Sequence, residues 1–246
     1  NALMERGLDE LVLSDPETRT SLGMDSGEHA AAKSQLLNRS LPALRERQAE
    51  MRRFHSELQA IDRSQLSGMD AVNYDTLKHY GDTVVAAYDS FEYGTHSWPE
   101  PYSVSQLSGT YQSIPDFLDS QHRVETREDA EAYLSRLRSF ARQLDHESER
   151  LRREYGMGVV PPDFVIDKTL LQLGNLTGTP AAQSILVTSL ARRTAEKNIA
   201  GDWAAQAERI VAPQVYPALA RQTDTVRSQR ERASHDAGVW RLPKGD

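Results

Sequence analysis

The 246 residues contain no cysteine, which removes disulfides, thiolate zinc sites and a cysteine nucleophile. No apolar run approaches the roughly 20 residues needed to span a bilayer, so no transmembrane segment is expected. Positive charge is in deficit: 29 Lys and Arg stand against 36 Asp and Glu, a net charge of −7. An isoelectric point near 5.6 argues against a nucleic-acid binder that works through a basic face. Apolar residues make up 38% of the chain, below the usual range of roughly 45–50%. They are spaced for helices, so their scarcity does not read as disorder. No signal peptide is recognisable, and a start at Asn1 fits a processed or trimmed chain.

Catalytic motifs are also missing. None of the seven histidines pairs as HxxxH or HxH. The nearest approach to a zincin helix is His146-Glu147-Ser148-Glu149-Arg150. Arg150 stands where the second imidazole must be, because a zincin needs histidines at i and i+4 on one helix face. Glu147 and Arg150 therefore read as part of a charged helix surface. The arginines 136, 138, 142, 150, 152 and 153 alternate with Glu131, Asp145, Glu147, Glu149 and Glu154, a pattern that reads as a mixed solvated face. There is no GxSxG elbow, no SxxK with its supporting motifs and no glycine-rich phosphate loop. Asn175-Leu176-Thr177 is a formal glycosylation acceptor only.

Helical periodicity is what the sequence does have, and it predicts an all-α bundle of six or seven helices. Leu37, Leu44, Met51 and Leu58 recur every seven residues, with Leu41, Phe54 and Ile61 on the same side. Ser40 caps that helix and Pro42 sits in its first turn. Leu77, Tyr80, Val84, Ala87 and Phe91 mark a second helix stopped by Gly94. Thr126 and Asp129 form a capping box for a third, whose stripe is Tyr133, Leu137, Phe140, Leu144, Leu151 and Tyr155. Further helices are expected around 164–173, from Thr179-Pro180, and from Asp202 towards Ser234 with a break at Pro213 and Pro217. Asp15-Pro16 opens a short helix over 16–22.

Between Gly94 and Gln121 the chain is rich in proline, serine and glycine, and is expected to be one long loop. Loops of this length are often functional. Trp98, Tyr102, Gln106, Tyr111, His96 and His122 have residue types that fit either a cleft wall or an ordinary packed loop.

Several segments carry a resemblance. They are Pro101-Tyr102-Ser103-Val104-Ser105-Gln106-Leu107-Ser108-Gly109, Ile114-Pro115-Asp116-Phe117-Leu118-Asp119-Ser120-Gln121-His122, Gly158-Val159-Val160-Pro161-Pro162-Asp163-Phe164 and Ala237-Gly238-Val239-Trp240-Arg241-Leu242-Pro243-Lys244-Gly245. With the start of the long third helix, they resemble the amino-terminal half of a large bacterial domain-of-unknown-function family of HExxH zinc metallopeptidases. Members are often described as secreted proteins or lipoproteins. The resemblance runs from about Pro16 to Asp246. It implies a mostly helical protein of roughly twice this length, with the HExxH helix and a glutamate ligand in the carboxy-terminal half.

Under this resemblance, residues 1–246 are the non-catalytic helical portion of a zinc peptidase and form one wall of its peptide-binding cleft. Zinc is expected in the missing half and no cofactor in this chain. The implied partners are that half and a peptide substrate, with no nucleic acid. The implied location is periplasmic or secreted, with a lipid anchor as one form of it. Tyr102, Gln106, Tyr111 and His122 are then the candidate substrate contacts, with no catalytic and no metal-binding residue. Two alternatives stand beside this reading: a stand-alone helical binding or oligomerisation module, and, more weakly, a hydrolase using a carboxylate pair.

Overall fold

Residues 2–94 and 100–245 are described in the computed structural model, and among them lie ten α-helices and no strand. The fold is all-α. Helix α1 (Ala2–Gly7) runs into a π-helical turn at Leu8–Val12. Asp15 then caps α2 (Pro16–Ser21), its carboxylate accepting from the Glu17 N–H at 2.8 Å. A 3-10 stretch (Gly27–Ser34) leads to α3 (Leu41–Gln59). Ser40 caps α3 by accepting from Ala43 N–H, and Pro42 sits in the first turn, where its missing N–H has no partner to lose. Helix α4 (Gly68–Ser90) folds back on α3. Met51, Phe54, Leu58, Tyr74 and Val84 form a small core between these two, with Leu3 and Leu11 packed on its edge.

A larger core is built around helix α6. It follows α5 (Thr110–Ser120) and spans Arg127–Gly156. The Thr126 side chain accepts from Asp129 N–H and the Asp129 carboxylate accepts from Thr126 N–H, the reciprocal arrangement the spacing predicts. Tyr133, Leu137, Phe140 and Leu144 are fully buried. Against them pack α5, α8 (Ile185–Glu196), α9 (Trp203–Ile210) and α10 (Tyr216–Gln229), while α7 (Asp163–Thr177) packs against α10.

The structure departs from the sequence reading in three places. The expected loop over 94–121 is helical in its second part. Tyr111, Ile114, Phe117 and Leu118 bury one face of α5, enough to hold Pro115 inside a helix although it gives up one ladder bond. His96 and Trp98 lie outside the described residues. Helix α4 starts well before Leu77 and ends at Ser90; Gly94 lies beyond it at φ +79°, where a Cβ would meet the Glu100 carbonyl oxygen at 2.5 Å. Helix α8 starts at Ile185, after a 3-10 turn at Ala181–Gln183. Near the proline pair the α-helix is interrupted, as the spacing predicts: Val211–Val215 forms a π-helical turn holding Pro213, and Pro217 falls in the first turn of α10. No helix among the described residues is long and apolar enough to cross a membrane.

Candidate functional site

Helix α6 carries two buried stripes side by side. Beside the apolar one run Arg136, Ser139, Gln143, Glu147 and Glu154, all buried, at steps of three, four, four and seven residues. Those steps fall on one face of a 3.6-residue helix. This corrects the expectation of a solvated face. Glu147 and Glu154 turn inward, and the Arg150 side chain is only 11% exposed. Arg138, Arg142 and Arg152 remain outside. The reason is that α6 is wrapped on several sides, so a second layer (α2, the 3-10 stretch and the loop before α5) covers the face that composition alone assigns to water.

Each buried charge on this stripe is matched. Glu147 accepts from Thr110 N–H at 3.0 Å, from the Thr110 hydroxyl, and from Gln222 Nε2 at 3.2 Å. Arg39 Nε stands 3.8 Å from Glu147. Arg39 also makes a two-pronged pair with Glu17, at 3.0 and 2.8 Å. Burial pushes the Glu147 carboxyl above the ordinary range, against the opposing pull of Arg39 and Thr110. Glu154 is raised for the same reason, although it accepts from Ser103 Oγ at 2.6 Å and Gly94 N–H at 3.2 Å. Arg150 Nη2 donates to Gly94 O at 2.9 Å and Ser103 Oγ at 2.7 Å.

In front of this stripe a cavity of about 920 Å³ opens between α6 and the α3–α4 pair. One wall is polar, with Arg39, Ser103, Thr110, Glu147 and Arg150; the other carries Leu44, Met51, Phe54, Leu77 and Tyr88, and Arg47. Clefts of this size, mostly apolar with a few placed polar groups, are the usual form of a small-ligand or peptide site.

None of the four candidate contacts drawn from the sequence lines that cavity. Tyr111 is buried in the core; its hydroxyl lies 2.7 Å from Ser105 O and 2.6 Å from Gln172 Oε1, and burial raises its pKa to about 12. Gln106 lies close by, its carbonyl accepting from Gln112 Nε2 at 2.6 Å and from Gln172 Nε2 at 3.3 Å. Gln172 thus brings Gln106 and Tyr111 together. Tyr102 packs elsewhere, against the small cluster of Tyr93, Val159 and Leu242. His122 is buried at the other end of α6. The residues that do shape the cavity (Arg39, Arg47, Thr110, Glu147 and Arg150) were missed. The polar periodicity on α6 is a signal that finds Glu147 and Arg150; nothing local marks Arg39 or Arg47. Among the described residues no group of three or more His, Asp or Glu side chains gathers as a metal site.

Residues 16–246 match the family described as "Bacterial protein of unknown function (DUF885)". No curated protein matches the chain. Among solved structures, that of "the putative lipoprotein from Colwellia psychrerythraea" has the same fold, with a TM-score of 0.85 at 18% identity over 97% of this chain. The match covers 41% of that protein, so the chain spans about two fifths of its length.

Proposed function

The chain belongs to the DUF885 family of bacterial proteins, and from that premise we propose that it is the non-catalytic helical portion of a zinc metallopeptidase, forming one wall of the peptide-binding cleft. Its partner is a carboxy-terminal half of the same protein, which carries the HExxH helix and the zinc. The observation that carries this reading is the cavity of about 920 Å³ between α6 and the α3–α4 pair. It occurs in a chain that spans 41% of a protein of the same fold, which leaves room for a half of comparable size. Large apolar side chains at the surface support a docking partner: Met69 and Val72 on α4, Leu107, Leu171 and Trp240 are all more than half exposed. The description of that relative as a lipoprotein supports a periplasmic or secreted location, with a lipid anchor as one form of it.

The same exposed residues also favour the second reading, a stand-alone module that binds a partner or itself through them. The coding sequence separates the two. An open reading frame that continues past Asp246 into an HExxH helix is the outcome expected of the peptidase reading. A stop codon after Asp246, with a concentration-dependent oligomer in solution, contradicts it and supports the module.

A further inference from the structure

Arg47 interrupts an apolar stripe. On α3 it shares a face with Leu44, Met51 and Phe54 at three- and four-residue steps, all four bordering the cavity. A half-buried guanidinium in such a stripe breaks the local pattern, and such breaks concentrate at functional positions. It is also the least matched of the three arginines there. Arg39 is held on both sides by Glu17, and Arg150 by Gly94 O and Ser103 Oγ. Arg47 donates from Nη1 to the Asn38 carbonyl at 2.8 Å, and among the described residues no carboxylate lies within ion-pair distance of it. Burial, then the nearby charges of Arg39 and Arg150, pull its pKa down. Glu10, Glu50, Glu100 and Glu147 also border the cavity, and Asp15 and Glu50 oppose that downward pull, so what Arg47 offers is a guanidinium without an ion-pair partner beside an apolar wall.

We propose that the Arg47 end of the cavity is a carboxylate subsite that takes the free C-terminus of a peptide whose last residue is apolar. A carboxylate fits the planar fork of a guanidinium with two parallel hydrogen bonds. The terminal side chain would lie on Leu44, Met51 and Phe54. The inference rests on the peptide-cleft reading and adds the end of the peptide that is held and the side chain preferred.

The test is a binding titration of the full-length protein, stripped of metal by chelation so that peptide is bound and not cleaved, with the peptide acetyl-Ala-Ala-Ala-Leu and with its C-terminal amide. The acid is expected to bind about tenfold more tightly than the amide, the weight of one charge-assisted pair. In Arg47→Gln, with circular dichroism showing the fold kept, that preference should vanish; Arg47→Lys should keep part of it. Equal binding of acid and amide by the wild-type protein overturns the subsite and leaves the cleft standing. Binding of neither peptide overturns the cleft reading for this chain. Dodecanoate presents the same carboxylate without peptide bonds, and tighter binding of it than of the peptide would overturn the assignment to a peptide.

Discussion

Arg136 and His122 meet in the core through a 2.6 Å hydrogen bond from Nη1 to Nδ1. Because the guanidinium can only donate, Nδ1 must accept, and the His122 proton sits on Nε2, where it faces the Asp129 carbonyl at 3.0 Å. Arg136 also donates to Thr20 Oγ1 at 2.6 Å, Ala32 O at 3.0 Å and Gln35 O at 2.9 Å, and lies over the Phe117 ring. One buried side chain thus joins α2, the 3-10 stretch, α5 and α6.

His122 should stay neutral through the physiological range. Burial, reinforced by the Arg136 charge, lowers its pKa to about 3. A folded-state pKa below the unfolded value of ~6.5 gives stability that is complete above pH 6.5 and is lost as pH falls towards 3. The loss from this group approaches ~1.4 kcal/mol per pH unit in that window. Imidazole resonances followed by NMR should show no titration of His122 between pH 5 and 8. Arg136→Met should cost roughly 3–5 kcal/mol in urea unfolding, and Arg136→Lys should not restore it, since an ammonium cannot span the same acceptors.

Glu147 should act in the opposite direction. Its carboxyl is raised by burial, so protonation favours the folded state and this group adds stability as pH falls from neutral. Glu147→Gln keeps an acceptor for Thr110 and removes the buried charge; its stability at pH 7 should lie within about 1 kcal/mol of the wild type, and this part of the pH slope should disappear. Glu147→Ala leaves Thr110 N–H and Gln222 Nε2 without partners and should cost on the order of 2–4 kcal/mol. Equal losses in both variants would contradict this account.

The two members of the capping box should differ in weight. Thr126→Ala removes one acceptor and should cost about 1 kcal/mol. Asp129 accepts from Glu125 N–H and Thr126 N–H, each at 2.9 Å, and pairs with Lys33 at 2.7 Å. Asp129→Ala should therefore cost more than twice as much as Thr126→Ala, read from chemical denaturation midpoints at constant slope.

Gly81 sets two effects against each other. Alanine in a helix interior is favoured over glycine by about 1 kcal/mol. A Cβ at Gly81, however, would stand 2.5 Å from the His55 ring, and His55 is held by Asp82 at 2.8 Å. Gly81→Ala should lower the melting temperature, because the α3–α4 contact outweighs propensity. A rise would mean that the two helices can part without loss.

Element type was readable where one periodicity governed. The α6 cap, its apolar stripe and the Ser40-Pro42 start of α3 follow from local spacing. The α5 helix is hidden because serine, glycine and proline crowd the stretch just before it, Pro115 interrupts it, and its apolar face is short. The cavity was hidden for a different reason. Its polar wall needs Arg39, Thr110 and Glu147 together, and positions so far apart in the chain leave no local mark. Arg136 and Glu147 read as surface charges because their burial depends on layers contributed by α2, the 3-10 stretch and α10.

The central claim is that this chain supplies a cleft wall to a metal centre lying elsewhere in the same protein. It is tested most directly by measuring zinc content and peptide turnover for the protein extended past Asp246, beside the 246-residue chain. The account predicts one zinc per molecule and measurable cleavage in the longer protein, with neither in the shorter. Stoichiometric zinc and turnover in the 246-residue chain, or their absence from the longer protein, would contradict it.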